Sequence, residues 1–274
     1  MVGYDLTRLI LGSEGTLAVI TEATLKMTPL PQSKRTLQAV YKDIRSAADA
    51  VSSIMAQPVI PYTLEFIDSQ AIEMVRKHSS ADLPVGAGAL LIIEVDGQQA
   101  CLDDAAQAIS KAATNTGLLD LKTATTKAEI AALWATRKAL SPALRNIAPN
   151  KINEDVVVPV SNIPDLIEGL EKLASKYEIK IVNFGHAGNG NIHTNLLIDS
   201  TDPAQVTRSQ ACLDEVFSLV LDLNGTLSGE HGVGMEKMNY IDREIDAVTL
   251  NLMKEIKTLF DPLGILNPGK MFPE

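Results

Sequence analysis

The chain alternates between two hydrophobic periods. "RTLQAVYK" (35–42), "YTLEFID" (62–68) and "ALLIIEVDG" (89–97) are short apolar or alternating runs and read as strands. Each precedes a stretch with helical spacing, over 43–56, 69–78 and 98–116. The alternation continues with a strand over 118–124, a helix over 127–147, a strand over 151–158 and a helix over 161–177 opened by "SNIPD". Two strands, 179–186 and 191–198, then flank a polar turn, and helices over 203–223 and 246–260 follow. Ahead of all of these, "LILGSEGTLAVITEATLKMTP" gives an apolar run, a glycine turn and alternating Leu17, Val19 and Thr21, which read as strands. Pro29 and Pro31 mark a boundary after them. Strands alternating with helices predict an α/β or α+β sheet with helices on it; no strict repeat is present, but a doubled β-α-β unit fits.

The polar turn is "GHAGNGNIHTN" (185–195). Its Asn189-Gly190 pair is a strong hairpin signal, because both residues accept positive φ. With 187–190 as the loop, His186 faces Asn191, and His186, Asn191, His193 and Asn195 share one face of the hairpin. Two readings stand: a solvated polar hairpin, or half of a metal site, since neutral imidazole is the commonest metal ligand. Two histidines need a third ligand, usually a carboxylate. "SGEHGVG" (228–234) offers Glu230, with Gly229, Gly232 and Gly234 letting the backbone turn sharply. Glu230 and His231 are adjacent and point opposite ways on an extended backbone, so one can ligate a metal while the other faces a substrate. A polar surface turn is the plainer alternative.

An arginine stands in an apolar stripe. Ile130, Leu133, Arg137, Leu140, Leu144 and Ile147 follow helical spacing, with Trp134 close by. Arg137 must either pair with an anion or snorkel to the edge of the core, and a carboxylate is the best match for its fork. Ser141-Pro142 is expected to break or restart the helix, leaving Arg137 near a helix end. Lys151, Asn153 and Asp155 share a face of the strand "KINEDVVVP", and an exposed strand start explains them. His78, near a helix end, reads as a surface residue.

Composition narrows the class. The 274 residues are 46% hydrophobic and 21% charged, enough for a packed core and no disorder. The net charge is −10 with no basic stripe, which argues against nucleic acid as a partner and makes each local cation worth attention. Cys101 and Cys212 have no metal or redox spacing, which fits a reducing compartment. No signal peptide or apolar span is evident, so the expected location is cytoplasmic or peripheral at the membrane.

Taken together, "DLTRLILGSEGTLAVITEATLKMTPLP", "LWATRKAL", "NEDVVVP", "GHAGNGNIHTNLL", "SGEHGVG" and "DPLGILNPGKMF" run in the order found in the flavin-dependent D-2-hydroxyacid dehydrogenases, which the chain resembles throughout. That family, of the vanillyl-alcohol-oxidase type, includes D-lactate and D-2-hydroxyglutarate dehydrogenases and the glycolate oxidase flavin subunit. The resemblance implies an α+β fold: a mostly antiparallel sheet with helices on one face, forming a doubled ferredoxin-like cap domain, plus a remnant of the flavin-binding domain. The boundaries it implies are 1–31 for the remnant, 32–240 for the substrate-binding cap and 241–274 for a C-terminal helix and tail packing toward the flavin domain.

The resemblance also implies roles. His186, His193 and Glu230 match positions that hold a divalent metal, often zinc. Arg137 matches the arginine that holds the substrate carboxylate, Asn195 a polar residue beside substrate and metal, and His231 the base for the 2-hydroxyl proton. Gly12, Ser13, Glu14, Gly15 and Thr16 match a flavin-contacting segment. The implied activity is FAD-linked oxidation of a small 2-hydroxy acid to the 2-oxo acid, handing electrons to a quinone, a cytochrome or an electron-transfer flavoprotein, with a homodimer as one assembly. Family members carry most of the FAD site ahead of the GSEGT segment, so a substrate-binding domain lacking bound flavin is the alternative. A metal-dependent hydrolase rests on the two histidines and the glutamate alone.

Overall fold

The computed structural model describes residues 2–78, 85–147 and 150–273; the side chain of His78 lies outside the described residues. In chain order the elements are α1 (Leu6–Ile10), β1 (Ser33–Tyr41), α2 (Ile44–Ala56), β2 (Thr63–Asp68), α3 (Ser69–His78), β3 (Ala89–Gly97), α4 (Gln99–Ala113) and β4 (Leu118–Ala124). Then come α5 (Lys127–Ile147), β5 (Asn150–Val157), α6 (Ile163–Tyr177), β6 (Lys180–His186), β7 (Asn191–Ile198), α7 (Pro203–Asp222), α8 (Ile241–Glu244) and α9 (Ala247–Phe260). From β1 onward the hydrophobic period predicts each strand, and each helix except the short α8, to within a few residues.

The chain divides into two compact units, 30–225 and the pair of segments 1–29 and 226–274. The second break falls earlier than the expected boundary at 240, so Glu230 and His231 belong to the terminal unit.

The larger unit is a seven-stranded sheet in the order β4-β1-β3-β2-β6-β7-β5, with every neighbouring pair antiparallel. Its first half, β1-α2-β2-β3-α4-β4 with α3 inserted between β2 and β3, takes the β4-β1-β3-β2 order of a ferredoxin-like unit. The second half, β5-α6-β6-β7-α7, repeats that plan without a fourth strand. The α+β class and the doubled unit therefore hold, although the halves share hydrophobic periods rather than residues.

Helices α2, α4, α6 and α7 line one face, where the Tyr41 hydroxyl donates to the Ala113 carbonyl at 2.6 Å. Burial pushes that phenol far above its usual range. The expected single layer of helices is joined by a second, partial layer. Ile72 and Val75 of α3 and Leu140 and Leu144 of α5 form one buried cluster with Ile67 and Ile92 from the other face of the sheet. β3 is consequently buried on both faces, which is why it reads as the continuous run "ALLII" rather than as an alternation.

Helix α5 runs unbroken from Lys127 to Ile147, so Ser141-Pro142 neither ends nor restarts it and Arg137 lies mid-helix. An interior proline costs about 3 kcal/mol. Leu140 and Leu144 are fully buried around it. Each such leucine contributes ~1.5–3 kcal/mol, enough to offset the lost backbone bond.

In the terminal unit, α9 is capped by Asp246, which accepts from the backbone N–H groups of Val248 (2.9 Å) and Thr249 (3.0 Å). The strands expected after GSEGT are not formed: residues 17–32 take no regular structure, and Val19, Ile20, Leu25 and Met27 are exposed. A strand needs a neighbour to complete its ladder, and no described residue pairs with this segment. Among the described residues no helix is long and apolar enough to cross a membrane.

Candidate functional site

Where α3 and α5 stop covering their face of the sheet, the same face turns polar. The β6–β7 register pairs His186 with Asn191, Phe184 with His193 and Val182 with Asn195, so His186, Asn191, His193 and Asn195 do share a face. The loop is a tight 3-10 turn over Ala187–Asn189, closed by the Gly190 N–H donating to the Ala187 carbonyl at 3.0 Å. Only Gly190 takes a positive φ (76°) there, and a Cβ on it would meet the Val158 carbonyl oxygen at 1.9 Å. The Asn-Gly signal thus works through its glycine. The turn sets the His186 and His193 rings edge to face, with centroids 5.6 Å apart. His193 is buried and the His186 side chain is 41% exposed.

The residue that sequence reasoning missed is Glu65. It lies directly across from His186 in the β2–β6 pairing and is 3% exposed. One carboxylate oxygen is 2.5 Å from Nδ1 of His186, and the other accepts from Nε of Arg137 at 2.7 Å. Burial raises the Glu65 pKa, but the hydrogen bonds and charges of His186 and Arg137 outweigh it and hold the carboxyl below its usual range. An ionised carboxylate can only accept, so Nδ1 carries the proton and, in the neutral ring, the lone pair sits on Nε2. A signal was present in "YTLEFID", where an acid stands between the apolar Leu64 and Phe66.

Arg137 thus finds the carboxylate that its place in an apolar stripe demanded. Its guanidinium carbon also lies 4.8 Å from the centre of the Phe184 ring. With Nε engaged by Glu65, the two Nη groups of the fork carry its remaining donors. A cavity of about 520 Å³ opens here, lined by Arg137, Glu65 and His186 with Ile60, Tyr62 and Trp134 among its walls.

Asn195 is fully buried. Its amide donates to the carbonyls of Val182 (3.1 Å) and His193 (3.2 Å), while its Oδ1 accepts from Lys151 Nζ at 3.1 Å. It therefore fixes the His193 backbone and holds Lys151, which is exposed at the start of β5 as its place in the sequence suggests. Asp155 is completely buried directly across from His193 in the β5–β7 register. Asn191 Oδ1, also buried, accepts no hydrogen bond from the described residues. An orphaned acceptor beside two imidazoles fits a site that takes a further polar group.

In the terminal unit, Glu14 and the glycine loop are joined. The Glu14 carboxylate accepts from the N–H groups of Val233 (2.7 Å) and Gly234 (2.8 Å), a small backbone nest for an anion. Gly232 has φ 83°, and a Cβ there would press on Glu14 Oε1 at 2.8 Å. Thr16 is buried and its hydroxyl donates to the Ser13 carbonyl at 2.7 Å. The Ser13 backbone is engaged in the same turn: its N–H donates to the Ile10 carbonyl at 3.2 Å, and its carbonyl also accepts from the Thr16 N–H at 2.9 Å. Glu230 and His231 are exposed and line a cavity of about 500 Å³ together with Gly12, Glu14 and Ser228.

The chain matches the family described as FAD linked oxidases, C-terminal domain, over residues 30–271. It is 39% identical over 272 residues to the glycolate oxidase subunit GlcD of Bacillus subtilis (strain 168), covering 99% of this chain and 58% of that protein. It is 31% identical to a D-lactate dehydrogenase of Anaerostipes hadrus, covering 98% of this chain and 58% of that one. With the mitochondrial D-lactate dehydrogenase [cytochrome] of Arabidopsis thaliana the identity is 33%, covering 99% and 48% respectively. The chain thus spans about half the length of these relatives. Among solved structures, p-cresol methylhydroxylase with bound substrate superposes with a TM-score of 0.69 at 15% identity, covering 89% of this chain and 53% of that one. Alkyldihydroxyacetonephosphate synthase does so at 0.67 and 19% identity, covering 98% and 50%. These likenesses establish the fold, and the family match establishes the kinship: the chain belongs to the FAD-linked oxidases, as their C-terminal domain.

Proposed function

We propose that this chain supplies the substrate and metal site of an FAD-dependent oxidoreductase that converts a small D-2-hydroxy acid to its 2-oxo acid. The observation that carries this reading is the cluster in the larger unit: a guanidinium fork held by Glu65, and two imidazoles on one face with a buried unsatisfied acceptor beside them. Arg137 Nη groups pair with the carboxylate of the acid and fix the position of C2. Lys151 adds a second cation on the same face. His231 takes the 2-hydroxyl proton on a ring nitrogen, as the resemblance implies.

His186 and His193 have the chemistry of metal ligands, Nε2 being the donor of His186 while Nδ1 faces Glu65, and the resemblance implies Glu230 as the third. A divalent metal held there, zinc being one that suits this donor set, would polarise the 2-hydroxyl, and a bound flavin would supply the acceptor for the hydrogen of C2. Gly12, Ser13, Glu14, Gly15 and Thr16 are the segment we assign to the flavin side. The names of the relatives favour glycolate or D-lactate as substrate, D-2-hydroxyglutarate being a larger member of the same class, and one of them names a cytochrome as acceptor; a quinone or an electron-transfer flavoprotein is what the resemblance implies.

Calorimetric titration with glycolate, D-lactate and D-2-hydroxyglutarate tests the reading. Binding of at least one of them, lost in Arg137→Ala, is expected. No binding of any of the three, or equal binding by the variant, would contradict it. In the flavin-loaded enzyme, Arg137→Ala is expected chiefly to raise KM and His231→Ala to lower kcat.

A further inference from the structure

We propose that Glu65 is the positioning residue of this site, fixing the tautomer of His186 and the orientation of the Arg137 fork through one carboxylate. The inference rests on the reading of the site given above. It starts from an oddity of burial. A carboxylate that is 3% exposed, in a strand whose neighbours Leu64 and Phe66 are buried hydrophobes, is a poor choice for stability alone. A well-packed apolar side chain commonly serves a core position as well as or better than a buried ion pair. Glu65 faces the site instead, and each of its oxygens serves a different functional group.

Toward His186, Oε1 at 2.5 Å accepts the Nδ1 proton and so leaves the lone pair on Nε2, in the arrangement in which a carboxylate orients a metal-bound imidazole. The carboxylate at Nδ1 thus favours this tautomer over the one protonated at Nε2. Toward Arg137, Oε2 at 2.7 Å takes the Nε donor, so the planar guanidinium can rotate only with loss of that bond. The Phe184 ring, 4.8 Å from the guanidinium carbon, restrains the same plane from another side. The group that would hold the acid's carboxylate and a group that would hold the metal are thereby tied to one rigid strand position, β2 against β6. Glu65 itself touches neither substrate nor metal in this account and acts through its two partners.

The test is the imidazole tautomer, read by long-range 1H–15N spectroscopy on the chain labelled at its four histidines, with His186→Gln identifying the His186 signals. The wild-type His186 is expected to be protonated at Nδ1. Glu65→Gln is expected to move it toward the Nε2-protonated form and to weaken zinc binding, measured against a chromogenic chelator, by about ten- to a hundred-fold. A wild-type His186 protonated at Nε2 would overturn the proposal without needing any variant. So would a folded Glu65→Gln chain with unchanged tautomer and unchanged zinc affinity. If the tautomer behaves as expected but the wild-type chain binds no zinc, the positioning role stands and the metal reading fails.

Discussion

The guanidinium carbon of Arg137 stands 4.8 Å from the centre of the Phe184 ring, placing the chain's candidate carboxylate anchor over an aromatic face. The contact joins α5 to β6, two elements that sequence order separates. A cation over an aromatic face contributes about 0.5–1 kcal/mol when partly exposed. Phe184→Leu keeps the position apolar and removes the ring quadrupole. It is expected to weaken binding of whichever of glycolate, D-lactate or D-2-hydroxyglutarate the chain takes by about two- to five-fold. Calorimetric titration checks this, and unchanged affinity would mean that the ring packs without steering the fork.

Gly190 carries the hairpin that presents both histidines. Its φ of 76° strains any other residue, and a Cβ would meet the Val158 oxygen at 1.9 Å. Gly190→Ala is expected to destabilise the larger unit by at least ~2 kcal/mol, combining strain with a backbone clash. Denaturant unfolding measures it, and a loss below about 0.5 kcal/mol would show that the loop can relax around a side chain.

Asp68 provides a pH dependence outside the site. It is 2% exposed and accepts from the Ala71 N–H (2.8 Å) and the Asn183 N–H (2.6 Å), yet burial pushes its pKa up to about 7 from 3.8. An acid whose folded pKa is raised binds its proton more tightly when folded. Its contribution is therefore most favourable below 3.8 and is lost as the pH rises through about 7. Relative to Asp68→Asn, the wild-type chain should lose unfolding free energy between about pH 4 and pH 7, with a constant difference above that window. A pH-independent difference across this range would contradict the assignment.

The terminal unit has its own pivot. Glu14 satisfies two backbone donors of the "SGEHGVG" loop, and Glu14→Ala leaves both without that partner. The expected loss is ~1–3 kcal/mol, felt locally. Limited proteolysis should cut near residues 229–234 faster in the variant. Equal rates would show that the loop is ordered by other contacts.

Much of this was legible in the sequence because strands and helices here obey their hydrophobic periods closely. The hairpin at 185–195 could be read down to which residues share a face, since a short loop fixes register. The run "ALLII" carried the signal that β3 is covered on both faces. What the sequence concealed depends on long-range pairing. Glu65 meets His186 only because β2 lies beside β6, although α3, β3, α4, β4, α5, β5 and α6 intervene in the chain. Lys151 is the exposed strand start that it reads as, but its bond to Asn195 depends on the β5–β7 pairing. Pro142 looks like a helix break, but the buried leucines around it carry α5 through. The alternation of Leu17, Val19 and Thr21 has the period of a strand and no pairing partner among the described residues.

The central claim, that this chain carries a substrate and metal site, is tested most directly by metal content under equilibrium. The chain is dialysed against zinc, washed free of loose ion and measured by elemental analysis alongside His193→Ala. The account predicts a single equivalent of zinc on the wild-type chain, lost in the variant. Only trace metal on the wild type, or the same content in both, would contradict it.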